Sequence, residues 1–220
     1  MSHLRLEMSP STIVKQLAIA TTGAVLLFGS TTLVAKAGTI QTDLADLAGP
    51  IIVVEWGIST NAPNNDDYVG SATSSPNNFN YITGFDAVGS IDIVLNVDNS
   101  GGTTEYIFYA VDLFNFSGSN WTGYKVELGF GTGANFVRSK PGDSLDFDAP
   151  VARVNPRPTC SAFTNLIQGR DFISWYAGNI PNGESFVDNF TFAVDVPDNL
   201  SLINPYGTSQ FTLRQTPITR

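Results

Sequence analysis

Apolar and polar residues alternate along two stretches of this chain. In Gly123–Phe130, Val126, Leu128 and Phe130 oppose Lys125, Glu127 and Gly129. In Ser185–Val196, Phe190, Phe192, Val194 and Val196 oppose Thr191, Ala193 and Asp195. A period of two sends one set of side chains inward and the other toward solvent, which is the signature of a β-strand. β-Branched and aromatic runs bounded by Gly, Pro, Asn and Asp predict further strands at Ile51–Ile58, Asn80–Phe85, Ser90–Val97, Thr104–Phe116, Asn135–Ser139, Asp171–Ala177 and Gln210–Gln215. The segment Asp98–Gly102, "DNSGG", reads as a turn between strands.

Helical periodicity is nearly absent after residue 37. A short helical turn is expected at Thr42–Gly49, where Thr42 is placed to cap it and Leu44 and Leu47 stand three residues apart. Two segments resist regular structure. Ser59–Asn78 is a polar loop, and Asp148–Leu166 carries Pro150, Pro156 and Pro158. About nine short strands with frequent turns predict an all-β fold, an antiparallel β-sandwich of jelly-roll type.

The N-terminus follows a different rule. Arg5 and Lys15 precede the apolar run Leu17–Val34, and small residues at Ala35 and Ala37 flank Lys36. A basic region, an apolar helix and small residues at the cleavage point make a secretory signal peptide, residues 1–37, followed by one β-sandwich domain, residues 38–220. Thr21, Thr22, Gly23, Gly29 and Ser30 make the run a weak candidate for a stable span. The chain is therefore expected outside the cell or on its surface, with no membrane span once the signal is removed.

Processing after Ala37 changes the charge and the available chemistry. Of eleven bases it removes Arg5, Lys15 and Lys36, and of twenty acids only Glu7, leaving eight against nineteen and a net charge of −11. Such a chain repels nucleic acid and anionic membranes. His3, the single histidine, is lost as well, which excludes Ser-His-Asp and Cys-His catalysis and histidine metal ligation. Cys160 stands alone, and without a histidine to activate it reads as a small buried hydrophobe.

Carboxylates are what remains for ion binding or acid–base work. Asp143, Asp146 and Asp148 fall within six residues and, near Asp171 or Asp188, could offer oxygen ligands to calcium. Their spacing lacks the central Gly and the closing Glu of an EF-hand loop, so a solvated turn with Asp side chains bonded to backbone amides is the first reading. The cluster Asn64–Asp67 reads as an ordinary loop. A glycan-cleaving enzyme needs two facing carboxylates. Glu55, Glu105, Glu127 and Glu184 are candidates that no motif joins, so no catalytic residue is assigned and the chain is read as a non-enzyme. Trp56, Trp121, Trp175 and most tyrosines are expected in the core, with Tyr68 and Tyr206 exposed. Asn-x-Ser/Thr sequons stand at Asn115, Asn120, Asn189 and Asn199 and matter only in a glycosylating host.

The strings "NWTGYKVELGFGTGANFVRS", "GDSLDFDAP", "FTFAVDVPD" and "FTLRQTP" together resemble the choice-of-anchor extracellular domains of PEP-CTERM-type bacterial proteins, the class F type most closely. The likeness covers Asn115–Pro217. It implies a secreted β-sandwich at the bacterial cell surface or in the extracellular matrix, and it brings no catalytic residues. Such proteins often continue into a Val-Pro-Glu-Pro motif and an apolar anchor, whereas this sequence ends at Ile218–Arg220. The resulting expectation is a structural or adhesive surface protein. The alternative is a carbohydrate-binding module assisted by calcium at Asp143, Asp146 and Asp148, and a carboxylate-only glycosidase comes third. Partners are expected among extracellular polysaccharides or other envelope proteins.

Overall fold

The computed structural model describes residues 38–59, 77–98, 103–147, 160–186 and 190–220. The expected signal peptide, Asp148, Tyr68 and the Asn64–Asp67 cluster lie outside the described residues. Among the described residues, thirteen strands form two sheets. The larger holds β1 (Thr39–Ala48), β4 (Ile91–Asp98), β13 (Gln210–Ile218), β6 (Trp121–Phe130), β10 (Phe172–Ile180) and β9 (Phe163–Gln168) in that order, with β7 (Val137–Arg138) beside β6. The smaller runs β2 (Ile51–Ser59), β3 (Asn78–Phe85), β5 (Thr104–Asn115), β12 (Phe190–Val196) and β8 (Asp146–Phe147), with β11 (Glu184–Phe186) beside β5. Every pairing is antiparallel except that of β3 with β5, which is parallel. A short helix, α1 (Leu200–Ile203), precedes β13.

The two sheets close on one aromatic core, the β-sandwich arrangement that the alternation predicts. Phe190 and Phe192 of β12 point inward and are fully buried, as are Tyr124, Val126 and Leu128 of β6. Rings interlock between the sheets. Phe85 meets Trp121 edge-on at 5.0 Å, and Trp175 meets Phe190 edge-on at 4.9 Å. Edge-on contact brings the positive rim of one ring to the negative face of the other, worth about 0.5–1.5 kcal/mol beyond burial. Polar ties cross this core: Gln215 Oε1 accepts from Thr83 Oγ1 at 3.1 Å and from Tyr124 Oη at 2.6 Å, and Tyr106 Oη accepts from Ile40 N at 3.0 Å.

The structure departs from the sequence expectation at two places. Thr42–Gly49 is not a helical turn, because Thr39–Ala48 is edge strand β1. Opposite β4, Leu44 pairs with Leu95 and Asp46 with the next residue, Val94, so Ala45 is an extra residue in a bulge. A bulge shifts the alternation by one and brings Leu44 and Leu47 to the same side, imitating helical spacing. Second, the segment expected to stay irregular up to Leu166 contributes β9. This is an edge strand whose residues Thr164–Ile167 are exposed, so no alternation marks it. The expected turn at Asp98–Gly102 lies, beyond Asp98, outside the described residues; the strands on either side of it, β4 and β5, belong to different sheets. The expected count of about nine strands is too low because β1, β8, β9 and the division of Ser185–Val196 into β11 and β12 were not visible in the pattern.

Candidate functional site: a polar groove at the β10 bulge

Two crossovers between the sheets run side by side at one end of the sandwich. One leaves β5, passes Phe116–Asn120 and enters β6. The other leaves β10 and reaches β11 through Pro181–Gly183. Asn115, the last residue of β5 and fully buried, ties them together. Its Nδ2 donates to Ser119 O at 2.9 Å and to Ile180 O at 2.9 Å. Its Oδ1 accepts from Ser117 N at 3.1 Å and from Ser117 Oγ at 2.7 Å, and Ser117 Oγ in turn accepts from Trp121 Nε1 at 2.9 Å. Asn182 adds a second brace, accepting from Gly118 N at 2.8 Å and donating its own N–H to Asn120 Oδ1 at 2.9 Å. A carboxamide suits this junction because it presents donors and an acceptor together.

In front of this brace β10 loses its regular pairing with β6. Tyr176 opposes Gly123 and the next partners are Ile180 and Trp121, so β10 spends four residues where β6 spends two. Within the excess, Ala177 sits at φ +59°, unusual for a residue with a side chain, and its carbonyl accepts from Thr164 Oγ1 at 3.0 Å. Gly178 follows, where a Cβ would lie 1.9 Å from Ala162 O. The bulge opens a groove of about 490 Å3 lined by Ser119, Asn120, Thr122, Gly178, Asn179, Thr219 and Arg220. Such a volume falls within the roughly 300–1,000 Å3 usual for small-ligand sites. Bulges commonly re-aim side chains at functional edges.

The acidic corner lies elsewhere. Asp143 is engaged by its own turn. Its Oδ2 accepts from Lys140 N at 2.8 Å and its Oδ1 from Leu145 N at 3.1 Å, while Ser139 Oγ stands 3.1 and 3.2 Å from the two oxygens. Asp146 pairs with Arg170 at 3.2 Å. The fold brings both near Asp171, whose carboxyl is held above its ordinary range by burial first and then by Asp143. Ser139 Oγ also lies 2.7 Å from Leu145 O and 3.5 Å from Asp171 Oδ1, so three acceptors surround one hydroxyl. Asp148 lies outside the described residues, and among the described residues no group of three or more His, Cys, Asp or Glu side chains is arranged to hold a metal ion.

The glutamates named from the sequence are dispersed. Glu55 lies on β2, Glu127 on β6 facing Lys125 at 2.6 Å, and Glu184 on β11. Glu105 is buried on β5 opposite Asp195, which in turn opposes Asp146, a row of three acids across β5, β12 and β8. Trp121, Trp175, Tyr81 and Tyr124 are core residues, as expected, and Tyr206 is exposed. Tyr176, expected with the core group, is 40% exposed. The sequon at Asn115 is closed to modification in the folded chain because both amide hydrogens are engaged. Sequence reasoning missed the groove. Its lining residues come from three separate stretches, and Asn115 behind them read only as a sequon. Set against models of known protein families, characterised proteins and solved structures, the chain matches none.

Proposed function

We propose that this chain is a secreted bacterial surface or extracellular-matrix protein with an adhesive role, a β-sandwich of jelly-roll type related to the choice-of-anchor domains. One observation carries the reading: a polar groove whose walls are clamped from behind by a buried asparagine. Binding is tighter when the walls need not be ordered on contact, and Asn115 supplies that order in advance. The groove lining contains neutral hydrogen-bonding side chains and one arginine, with no pair of carboxylates to transfer protons. That composition suits holding a partner more than cleaving one. The signal-like N-terminus supports export, and the strand resemblance supports the surface location.

The test is co-sedimentation. The full chain, expressed in a Gram-negative host, is expected to leave the cytoplasm, begin at Gly38, and pellet with washed bacterial matrix. Export failure, or exported protein that stays wholly in the supernatant, would overturn the reading.

A further inference from the structure

We propose that the groove at the β10 bulge binds a neutral polysaccharide, with Tyr176 as its stacking platform and Asn120 and Asn179 as its hydrogen-bonding side chains. This rests on the adhesive reading and names the ligand class for that same site.

The lining selects among ligands by chemistry. No lining side chain is an acid, so the groove offers a metal ion no side-chain carboxylate. Arg220 is the one cation in the lining of a strongly acidic chain, too little to draw in a polyanion. What the lining does offer is Ser119, Thr122 and Thr219 hydroxyls and the Asn120 and Asn179 carboxamides. A carboxamide holds a donor and an acceptor in one plane, which matches two neighbouring sugar hydroxyls, each able to give and to receive. Asn179 is exposed and its side chain bonds to no described residue, leaving both functions open. Asn120 has its oxygen fixed by Asn182 N, which points the amide donor in a set direction.

A sugar ring also has apolar C–H faces, and these need a flat apolar surface. Tyr176, two residues before Gly178 on the same strand, is 40% exposed. Its partner across the ladder is Gly123, which pairs on its other side with Ile218, itself 37% exposed. Gly123 itself is buried, and a Cβ there would lie 2.7 Å from Trp175 O and 3.3 Å from Ile218 Cδ1, so Ile218 packs over it. Tyr176 stands outside the groove lining but two residues before Gly178 on the same strand, so a ligand that used both the ring and the groove would be a chain of hexoses and not a single small molecule. Tyr176 and Asn179 are exposed and touch no core residue through bonds, so each can be replaced without unfolding the sandwich.

The experiment is native affinity electrophoresis of the exported chain in gels carrying dextran, laminarin, galactomannan or xylan, with alginate as the anionic control. Retardation by at least one neutral polymer is expected. Tyr176→Ala and Asn179→Ala should each weaken it by about tenfold while the melting temperature stays within roughly two degrees of the parent. No retardation by any neutral polymer, retardation by alginate alone, or retardation unchanged in both variants would each overturn the inference. If the chain still pellets with bacterial matrix in those cases, the adhesive reading stands and only the glycan assignment falls.

Discussion

The two ends of this sandwich handle polar groups in opposite ways. At the groove, the buried Asn115 amide donates to Ser119 O and Ile180 O and its oxygen receives from Ser117, so donors and acceptors balance. At the acidic corner, the Ser139 hydroxyl has one proton and faces the Asp143 carboxylate, the Leu145 carbonyl and the Asp171 carboxylate. A satisfied buried network rigidifies its surroundings, whereas excess acceptors raise the free energy of the ionised state. The groove is thereby a preorganised surface, and the corner is a place where protons matter.

The largest effect should come from breaking the balanced end. Asn115→Ala strands two carbonyls and Ser117, costing about 3 kcal/mol, which lowers the melting temperature by roughly 6–12 °C in a chain of this size. Differential scanning fluorimetry checks this, and a loss of under about 1 kcal/mol would show that the clamp is dispensable. Next comes an ion pair that belongs to neither network. Asp92, 1% exposed, takes Arg214 Nε at 2.6 Å and Nη2 at 2.8 Å and accepts from Gly133 N at 2.7 Å, while the guanidinium covers the Phe136 ring at 3.8 Å. Asp92→Asn keeps the shape but removes the charge, and about 2 kcal/mol should be lost in urea unfolding.

The unbalanced end should respond in the other direction. The folded-state pKa of Asp171 is raised above its unfolded value, so its contribution to stability is full at pH below the unfolded carboxylate range and is lost as pH rises through the raised value. Asp171→Asn should therefore match the parent at acid pH and exceed its melting temperature by a few degrees, about 2–4 °C, at neutral pH. A variant less stable than the parent at neutral pH would contradict the crowding argument. The smallest effect expected is that of calcium. Because Asp143 serves its turn and Asp146 serves Arg170, excess calcium against chelator should leave the melting temperature unchanged within about one degree. A rise lost in Asp146→Ala would instead make the corner a cation site.

Sheet architecture was legible where apolar and more polar residues alternate, whether one face is buried, as in β6, or nearly the whole strand, as in β12. β6 and β12 each present an inward apolar set and a more polar outward set, and both were found. β1 was hidden because the bulge at Ala45 restored a three-residue spacing, and β9 because an exposed edge strand has no buried face to announce it. The acidic corner was half legible. Sequence proximity placed Asp143 by Asp146, but only the fold brings Asp171 to them and supplies Arg170 and Ser139. The groove was not legible at all, since Asn115, Ser119–Thr122, Gly178–Asn179 and Thr219–Arg220 meet only through sheet crossovers and a two-residue bulge. Local pattern reports which face a residue takes; it does not report which distant strand end stands opposite.

The central claim is that recognition happens at the clamped groove. Hydrogen–deuterium exchange of the exported chain, with and without the neutral polysaccharide that retards it most, tests this directly. The account predicts added protection confined to residues 117–122, 176–180 and 218–220, with the Ser139–Phe147 corner unchanged. Protection at the corner, on the opposite sheet, or nowhere would contradict it.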